Sequence, residues 1–432
     1  MIKNARELLY FYKGTFQNDL MRFWNKAFDE KYGGFFTCFS NDGKTMVSTD
    51  KYIWSQGRML WIDSPYVDMI RKGILEGDVD QLLRRAEKTY KFIHNDAILP
   101  EGYGVCAYLC ERNGNKKESI PGKGFYTSFY VDCFVIMGFA EYSRVCGRRD
   151  ILDEALKLYA RTRAYLSRGE IVSEPYPMPF GYRSHSVPMI MTNVTYVLYD
   201  ALEAFSDPRE SEIKEQAIEY VNQILNVHFD EERRLIIEMV PDSNTDKDTL
   251  LARHVNAGHA IESMWFCAKV LKDTGWSETA AKKIYDVVKN SLAVGWDDEM
   301  GGLYRITGHN GGCPEGRMLN VPYDTLLKET WDSKLWWPHS EALYVTLLCN
   351  KLSGDEKFRA LYDKVSEYVF RVFPNPDKEV GEWIQILGRE NKPLDKVVAL
   401  PVKDPYHIMR NFMLIIELLW DDIQENDATA LG

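Results

Sequence analysis

The sequence predicts an all-α chain closed into an (α/α)6 barrel, six helical hairpins in a toroid with short β-hairpin loops at one end. Apolar residues recur at helical rather than alternating spacing in most long segments. A short turn-and-strand unit recurs between them at intervals of roughly 60 to 80 residues, enough for two helices and a loop, which makes about six repeats. No Gly/Ser/Pro-rich linker divides the chain, so residues 1–432 read as one catalytic domain.

The helical spacing is plainest in "VDQLLRRAEKTYKFIHNDAIL", "ILDEALKLYARTRAYLSRG" and "ETAAKKIYDVVKNSLAVG". The recurring unit is an acidic turn, then small residues, then alternating aromatic or β-branched ones. It occurs as "FDEKYGGFFTCF", "EGYGVCAYLC", "FDEERRLIIEMV", "DDEMGGLYRIT" and "DKEVGEWIQIL", with a degraded sixth copy at "SEPYPMPFGYR". An open solenoid needs polar capping repeats at its ends, and no segment reads as one, so the repeats are expected to close on themselves. Inner-helix starts would then share one funnel-shaped end, where a pocket forms.

Composition narrows the function. A formal net charge of −11, without a Lys/Arg run long enough to follow a phosphate backbone, argues against nucleic acid or anionic membrane as partner and for a small neutral or polar ligand. The eight cysteines, at 38, 106, 110, 133, 146, 267, 313 and 349, form no CxxC pair and no zinc spacing; several sit in apolar runs, as buried thiols do in a reducing compartment. The longest late apolar run, "FMLIIELLW", is broken by Glu417 and too short to span a bilayer. These features predict a soluble cytoplasmic protein. HExxH, P-loop, GxSxG and dinucleotide fingerprints are all missing from the sequence.

Four stretches join aromatic to titratable residues at plausible helix starts: "DKYIWSQGRMLW", "HVNAGHAIESMWF", "KLWWPHSEALY" and "KDPYHIMR". In the second, Asn256 is a natural N-cap for a helix from about Ala257, which puts His259 in the first turn with Glu262 one turn on. A helix N-terminus disfavours imidazolium and a neighbouring carboxylate favours it, the tuning a general base needs; a histidine packed under Trp265 fits the residues as well. In the fourth, Asp404 caps, Pro405 takes the first helical position and His407 again falls in the first turn, with Arg410 a turn further. Two histidines equivalently placed make a joint role in catalysis more plausible than either does alone. Trp336 and Trp337 offer flat faces on which sugars stack, though a packed core uses such residues too. Arg58, among Trp54 and Trp61, calls for an anionic partner, either a developing oxyanion or a buried carboxylate. His185 and His339 are candidate pocket walls.

At these same residues the chain resembles the N-acylglucosamine 2-epimerase family, which includes cellobiose 2-epimerases and aldose-ketose isomerases. The resemblance runs from "FWNKAFDEKYGGFFTCF" and "DKYIWSQGRMLW" through "SVPMI", "NAGHAIESMWF" and "KLWWPHSEAL" to "PYHIMR", nearly the whole chain. It implies an (α/α)6 barrel, often dimeric, that inverts C2 of an open-chain aldose. Matched residue by residue, it implies His259 and His407 as catalytic histidines, Glu262 as the carboxylate supporting His259, and Arg58 as the conserved arginine. Inversion removes a proton from one face and returns one to the other, so two groups near neutral pKa should flank the substrate while Arg58 steadies the enediolate. Trp54, His185, Trp336, Trp337, His339 and Arg410 would contact the sugar. No metal or cofactor is implied as a requirement, and ATP is implied as an allosteric activator in the N-acetyl-sugar branch.

The motifs divide over the substrate. "WWPHSEA" and "SVPM" resemble the branch interconverting N-acetyl-D-glucosamine and N-acetyl-D-mannosamine, while Lys403 to His407, "KDPYH", is closer to the "PYH" of cellobiose epimerases. Epimerisation of N-acetyl sugars is the leading expectation, with neutral-sugar epimerisation or aldose-ketose isomerisation the alternative. An (α/α)6 glycoside hydrolase would need two carboxylates, for which Glu262 and Glu341 are available, but would leave the histidines without a task. An idle sugar-binding protein would need the tryptophans and not both histidines.

Overall fold

Helices begin where a side chain can accept the first free N–H groups. Asn4, Asp78, Asn256, Ser277 and Asp355 all do so at the heads of their helices. A computed structural model of the chain describes residues 4–242, 247–394 and 403–431. Its barrel helices are α1 (Ala5–Thr15), α2 (Ile53–Arg71), α3 (Val79–Phe92), α4 (Phe129–Cys146), α5 (Arg149–Ser167) and α6 (Ser186–Ala204). They continue with α7 (Glu210–Asn222), α8 (Ala257–Thr274), α9 (Glu278–Gly295), α10 (Trp336–Ser353), α11 (Glu356–Val372) and α12 (Tyr406–Leu431).

The even-numbered helices pack in the order α2, α4, α6, α8, α10, α12 and back to α2, closing an inner ring. Each odd-numbered helix lies outside a partner: α3 on α2, α5 on α4, α7 on α6, α9 on α8, α11 on α10, and α1 on α12. This is the (α/α)6 barrel the sequence predicts. Side-chain patterning explains the two layers. In α4 every residue from Val131 to Ser143 is buried, as a helix enclosed on all sides requires, whereas outer α3 buries a single stripe of Leu82, Arg85, Ala86, Thr89 and Tyr90. Where α2 crosses α4, a Cβ on Gly57 would come within 2.6 Å of the Phe134 backbone and one on Gly138 within 2.5 Å of the Gly57 carbonyl. The two backbones touch there, which presses the next residue, Arg58, against Phe134.

Four of the recurring units close as antiparallel turns. Phe28 bridges Phe35, Ile98 bridges Cys106, Trp296 bridges Leu303, and Phe229–Asp230 pairs with Leu235–Ile236. In the fifth, the Ile384 N–H donates to the Phe373 carbonyl at 2.8 Å, and Ile386–Leu387 pairs with Lys334–Leu335. "SEPYPMPFGYR" departs from the expectation of a hairpin. Pro175, Pro177 and Pro179 remove alternate ladder donors, so this stretch forms no turn-and-strand pair of its own. Instead Tyr182–Ser184 pairs with Met239–Pro241 from the next unit.

Two units repeat in side-chain detail. Asp29 and Asp297 each head a turn whose paired glycines, Gly33 with Gly34 and Gly301 with Gly302, have φ of 75–83° that L side chains avoid. A buried lysine two residues before the following inner helix pairs with each aspartate, Lys51 with Asp29 at 3.0 Å and Lys334 with Asp297 at 3.2 Å. An arginine then joins each pair, Arg112 at 2.9 Å and Arg389 at 3.1 Å. Finally a side chain at the fourth helical position accepts the N–H after the glycines: Gln56 Oε1 from Phe35, and His339 Nε2 from Leu303, both at 2.7 Å.

Candidate active site

The N-terminal ends of the six inner helices converge on a cavity of about 970 Å³, and each contributes residues to its wall. Its size falls at the upper end of the range for small-molecule sites.

His259 is placed by the cap of α8, its own N–H donating to Asn256 Oδ1 at 3.1 Å, as the sequence predicts. Its Nδ1 lies 3.0 Å from Glu238 Oε1. Glu238 is fixed by the strand pairing next to it, where the His185 N–H donates to the Glu238 carbonyl at 2.8 Å. Burial works against a charge on His259, and the Glu238 carboxylate outweighs it, with Glu262 adding to the effect, so the pKa stands above the ordinary 6.5. Glu238 is held well below the ordinary carboxylate range despite its own burial, by His259 and His185.

His407 is in the first turn of α12, and its Nδ1 lies 2.7 Å from Glu341 Oε1 on α10. Beneath this pair, Arg410 Nη2 donates to Glu262 Oε1 at 2.5 Å and to Glu341 Oε1 at 2.6 Å. Burial favours a neutral Glu341, but Arg410 and His407 overcome it and hold the carboxyl below its usual range. With Nδ1–H of each histidine donated to a carboxylate, the free lone pair belongs to Nε2. Neither Nε2 is hydrogen-bonded among the described residues, and the His259 and His407 side chains stay 24% and 11% exposed. The Trp337 indole lies against both imidazoles, with ring centroids 5.4 Å from His259 and 5.3 Å from His407.

A third polar group faces the same space. Arg58 pairs with Asp404 and lies over Phe134, Trp54 and Tyr406 at 3.9, 4.6 and 5.0 Å. Asp404 also accepts from the Tyr406 N–H at 2.8 Å; α12 therefore starts at Tyr406, one residue later than the sequence suggests.

The structure thus brings His259, His407, Glu262, Arg58, Trp54, Trp336, Trp337 and Arg410 to one cavity, and it corrects four expected contacts. Glu262 does not hydrogen-bond His259; it accepts from Arg410 and lies 3.5 Å from His407 Nδ1, and Glu238 takes the bracing place. Arg410 borders the cavity with a 1% exposed side chain committed to two carboxylates, so it cannot turn to a sugar. His185 is fully buried behind Glu238, its Nδ1 3.4 Å from Oε2. His339 is also fully buried, its Nδ1 donating to the Leu335 carbonyl at 2.6 Å while Nε2 accepts from Leu303. Burial lowers its pKa to about 3.

Sequence reasoning missed Glu238, Asp404 and Arg305 as cavity residues and took Glu341 only as a hydrolase carboxylate. Glu238 had a signal, a lone carboxylate in the apolar run "LIIEMV", where a charge needs a partner. Two groups, His185 with Glu238 and His259, and Glu262 with Glu341 and His407, bring donor atoms within 4.8 Å of one another, close enough to share a metal ion. In the second, such an ion would sit against the Arg410 guanidinium, which already neutralises both carboxylates.

The N-acylglucosamine 2-epimerase of Bos taurus is 28% identical over 429 residues, 97% of this chain and 93% of its own. A cellobiose 2-epimerase of Ruminococcus albus is 23% identical over 92% of this chain and 95% of its own. The solved cellobiose 2-epimerase from Bacillus thermoamylovorans superposes with a TM-score of 0.75 at 18% identity, over 95% of this chain and 99% of that one, which shows a shared fold. The sequence model of the family described as N-acylglucosamine 2-epimerase (GlcNAc 2-epimerase) matches residues 34–411, a span that includes both braced histidines and every turn unit but the start of the first, and the chain belongs to that epimerase family.

Proposed function

We propose that the protein interconverts N-acetyl-D-glucosamine and N-acetyl-D-mannosamine by moving a proton at C2 of the open-chain sugar. The observation that carries this reading is the pair of imidazoles, each braced through Nδ1 by a buried carboxylate, each with a free Nε2, and both set against one indole. One neutral Nε2 removes the C2 proton, and the other imidazole, protonated, delivers one to the opposite face; the reverse reaction exchanges the roles. Glu238 and Glu341 keep the tautomer fixed and stabilise the imidazolium formed in each direction. Arg58, paired with Asp404 at the wall, steadies the negative oxygen on C1 of the enolate formed when C2 loses its proton. Arg410 acts through Glu262 and Glu341 as a positioning residue.

These residues supply both proton transfers and the charge stabilisation, so the proposed chemistry uses no cofactor. A glycoside hydrolase would need a protonated carboxyl as acid, but Glu262 and Glu341 both accept from the same guanidinium nitrogen. The volume of the cavity favours a second reading, a longer neutral sugar epimerised by the same residues.

Incubation in D2O with N-acetylglucosamine, N-acetylmannosamine, mannose, glucose and cellobiose, with and without ATP, followed by NMR, tests the proposal. Deuterium at C2 together with the epimeric N-acetyl sugar supports it, and faster exchange with ATP supports an activating role for the nucleotide. Inversion confined to the neutral sugars selects the second reading, and a ketose product would mean return of the proton to C1. We read the enzyme as cytoplasmic, since all eight cysteines are free and only Cys313 is exposed, and as a homodimer, which sedimentation would test.

A further inference from the structure

Arg305 stands in the cavity wall, half-buried, between the Gly301–Gly302 turn and the short Thr307–Gly308 strand. Its Nη1 donates to Thr330 Oγ1 at 2.8 Å and its backbone N–H to the Ser333 carbonyl at 2.8 Å. Among the described residues it has no carboxylate partner, unlike Arg58, Arg410 and Arg183 in the same wall. Burial disfavours its charge, with the phenols of Tyr323 and Tyr176 acting in the other direction. Those rings meet edge to face at 6.3 Å, and neither hydroxyl is hydrogen-bonded among the described residues. Arg305 has donors beyond the one given to Thr330, and both phenols face the same cavity half-buried, so this patch of wall can offer several hydrogen bonds to a ligand oxygen.

The patch lies on the His259 side of the cavity: Val255, next to the cap of α8, pairs with Thr307, two residues after Arg305, and the Tyr323 ring lies 5.9 Å from that of His254. With C2 held between His259 and His407, its substituent can reach this part of the wall. An acylamino group on C2 offers a carbonyl oxygen for the guanidinium and a methyl for the aromatic faces. We propose that Arg305, with the hydroxyls of Tyr176 and Tyr323, forms the subsite that receives the 2-acylamino carbonyl oxygen and sets the preference for acylated over unacylated sugars. This rests on the C2-epimerase reading above.

The test compares kcat/KM for N-acetylmannosamine and for mannose in wild type, Arg305→Met and Tyr323→Phe, with melting curves to confirm that each variant is folded. Arg305→Met should lower the ratio of the two on the order of 10- to 100-fold, mostly through KM for the acylated sugar, the loss expected for a hydrogen bond from a charged donor. Tyr323→Phe keeps the ring and should lower it a few-fold, roughly 2- to 10-fold for a neutral hydrogen bond; it carries the test alone if Arg305→Met does not fold. A wild type that prefers N-acetylmannosamine while the folded variants retain that preference overturns the subsite alone. A wild type that turns over mannose and not N-acetylmannosamine overturns the substrate assignment and the subsite with it.

Discussion

Nδ1 of His407 lies 2.7 Å from Oε1 of Glu341, and His259 meets Glu238 in the same way at 3.0 Å, from other elements of the barrel. The site therefore holds two separate proton-transfer dyads, and each should be indispensable for inversion and dispensable for one half of it. His259→Ala and His407→Ala should each lower epimerisation by roughly 10²-fold or more, as for loss of a positioned acid or base. Each variant should still exchange the C2 hydrogen of one epimer with D2O, the epimer served by the remaining histidine. Full turnover in either variant, followed by NMR, would remove that histidine from the mechanism.

Glu238 sets the pH response of its dyad. It raises His259 above 6.5 against burial and is itself well below 4.5 because of His259 and His185. A raised histidine contributes stability that is full below its unfolded pKa and lost as pH climbs through the folded one; a depressed carboxyl contributes fully above its unfolded pKa. Both contributions are complete between 4.5 and 6.5. Glu238→Gln should depress the melting temperature most in that window, with a deficit that narrows at higher pH. The limb of the pH-rate profile that reports His259 should move to lower pH, and the other limb should stay in place.

Arg410 donates to Glu262 and Glu341 while 1% exposed. Arg410→Met removes the shared cation and leaves two carboxylates buried without it. Breaking a buried pair from one side typically costs on the order of 3–5 kcal/mol, so urea unfolding should show a loss of that size. A loss within about 1 kcal/mol, the range of exposed pairs, would mean that water reaches the carboxylates.

How much of this was legible in sequence depended on whether a property was local. The start of α8 at Ala257, capped by Asn256 with His259 in the first turn, is written in consecutive residues and was read correctly. The ring of helices followed from the repeat of "DEKYGG" and "DEMGG", because each unit is itself a local turn. The bracing of His259 was assigned to Glu262 because three-residue spacing on a helix is visible in one dimension. Glu238 reaches the same imidazole from 21 residues upstream, just before a strand held by pairing between Tyr182–Ser184 and Met239–Pro241 that no spacing announces. The roles of Glu341 beside His407 and of Asp404 beside Arg58, and the place of Arg305 in the wall, are illegible for the same reason, since each arises only when segments distant in sequence meet.

Trp337 supports both imidazoles, and Gly258 lets it do so. A Cβ on Gly258 would lie 2.6 Å from the Trp337 ring and 3.0 Å from Pro338. The indole is rigid and its neighbour is a proline, so one of them must shift. Gly258→Ala should cost about 1–3 kcal/mol of stability as an overpacked contact, and should lower kcat more than it raises KM, because the proton donors move while the sugar contacts elsewhere remain. Steady-state kinetics on a variant shown to be folded will decide it. An unchanged kcat would mean that the indole does not set the histidine geometry.

His339 offers a contrast with the two dyads, because it resembles them in sequence and belongs to the scaffold. It occupies the place that Gln56 holds in the other detailed repeat, accepting the N–H after a Gly-Gly turn. Its pKa of about 3 lies below the 6.5 of an unfolded histidine, so between those values the unfolded chain binds the extra proton. Stability therefore falls as the solution is acidified through that range, by about 1.4 kcal/mol per pH unit for one such group. His339→Gln supplies the same donor and acceptor without a titrating ring. Its deficit relative to wild type, taken from melting curves, should be largest above pH 6.5 and shrink as the pH falls towards about 3. Its pH-rate profile should keep the wild-type limbs, and a displaced limb would return His339 to the catalytic set.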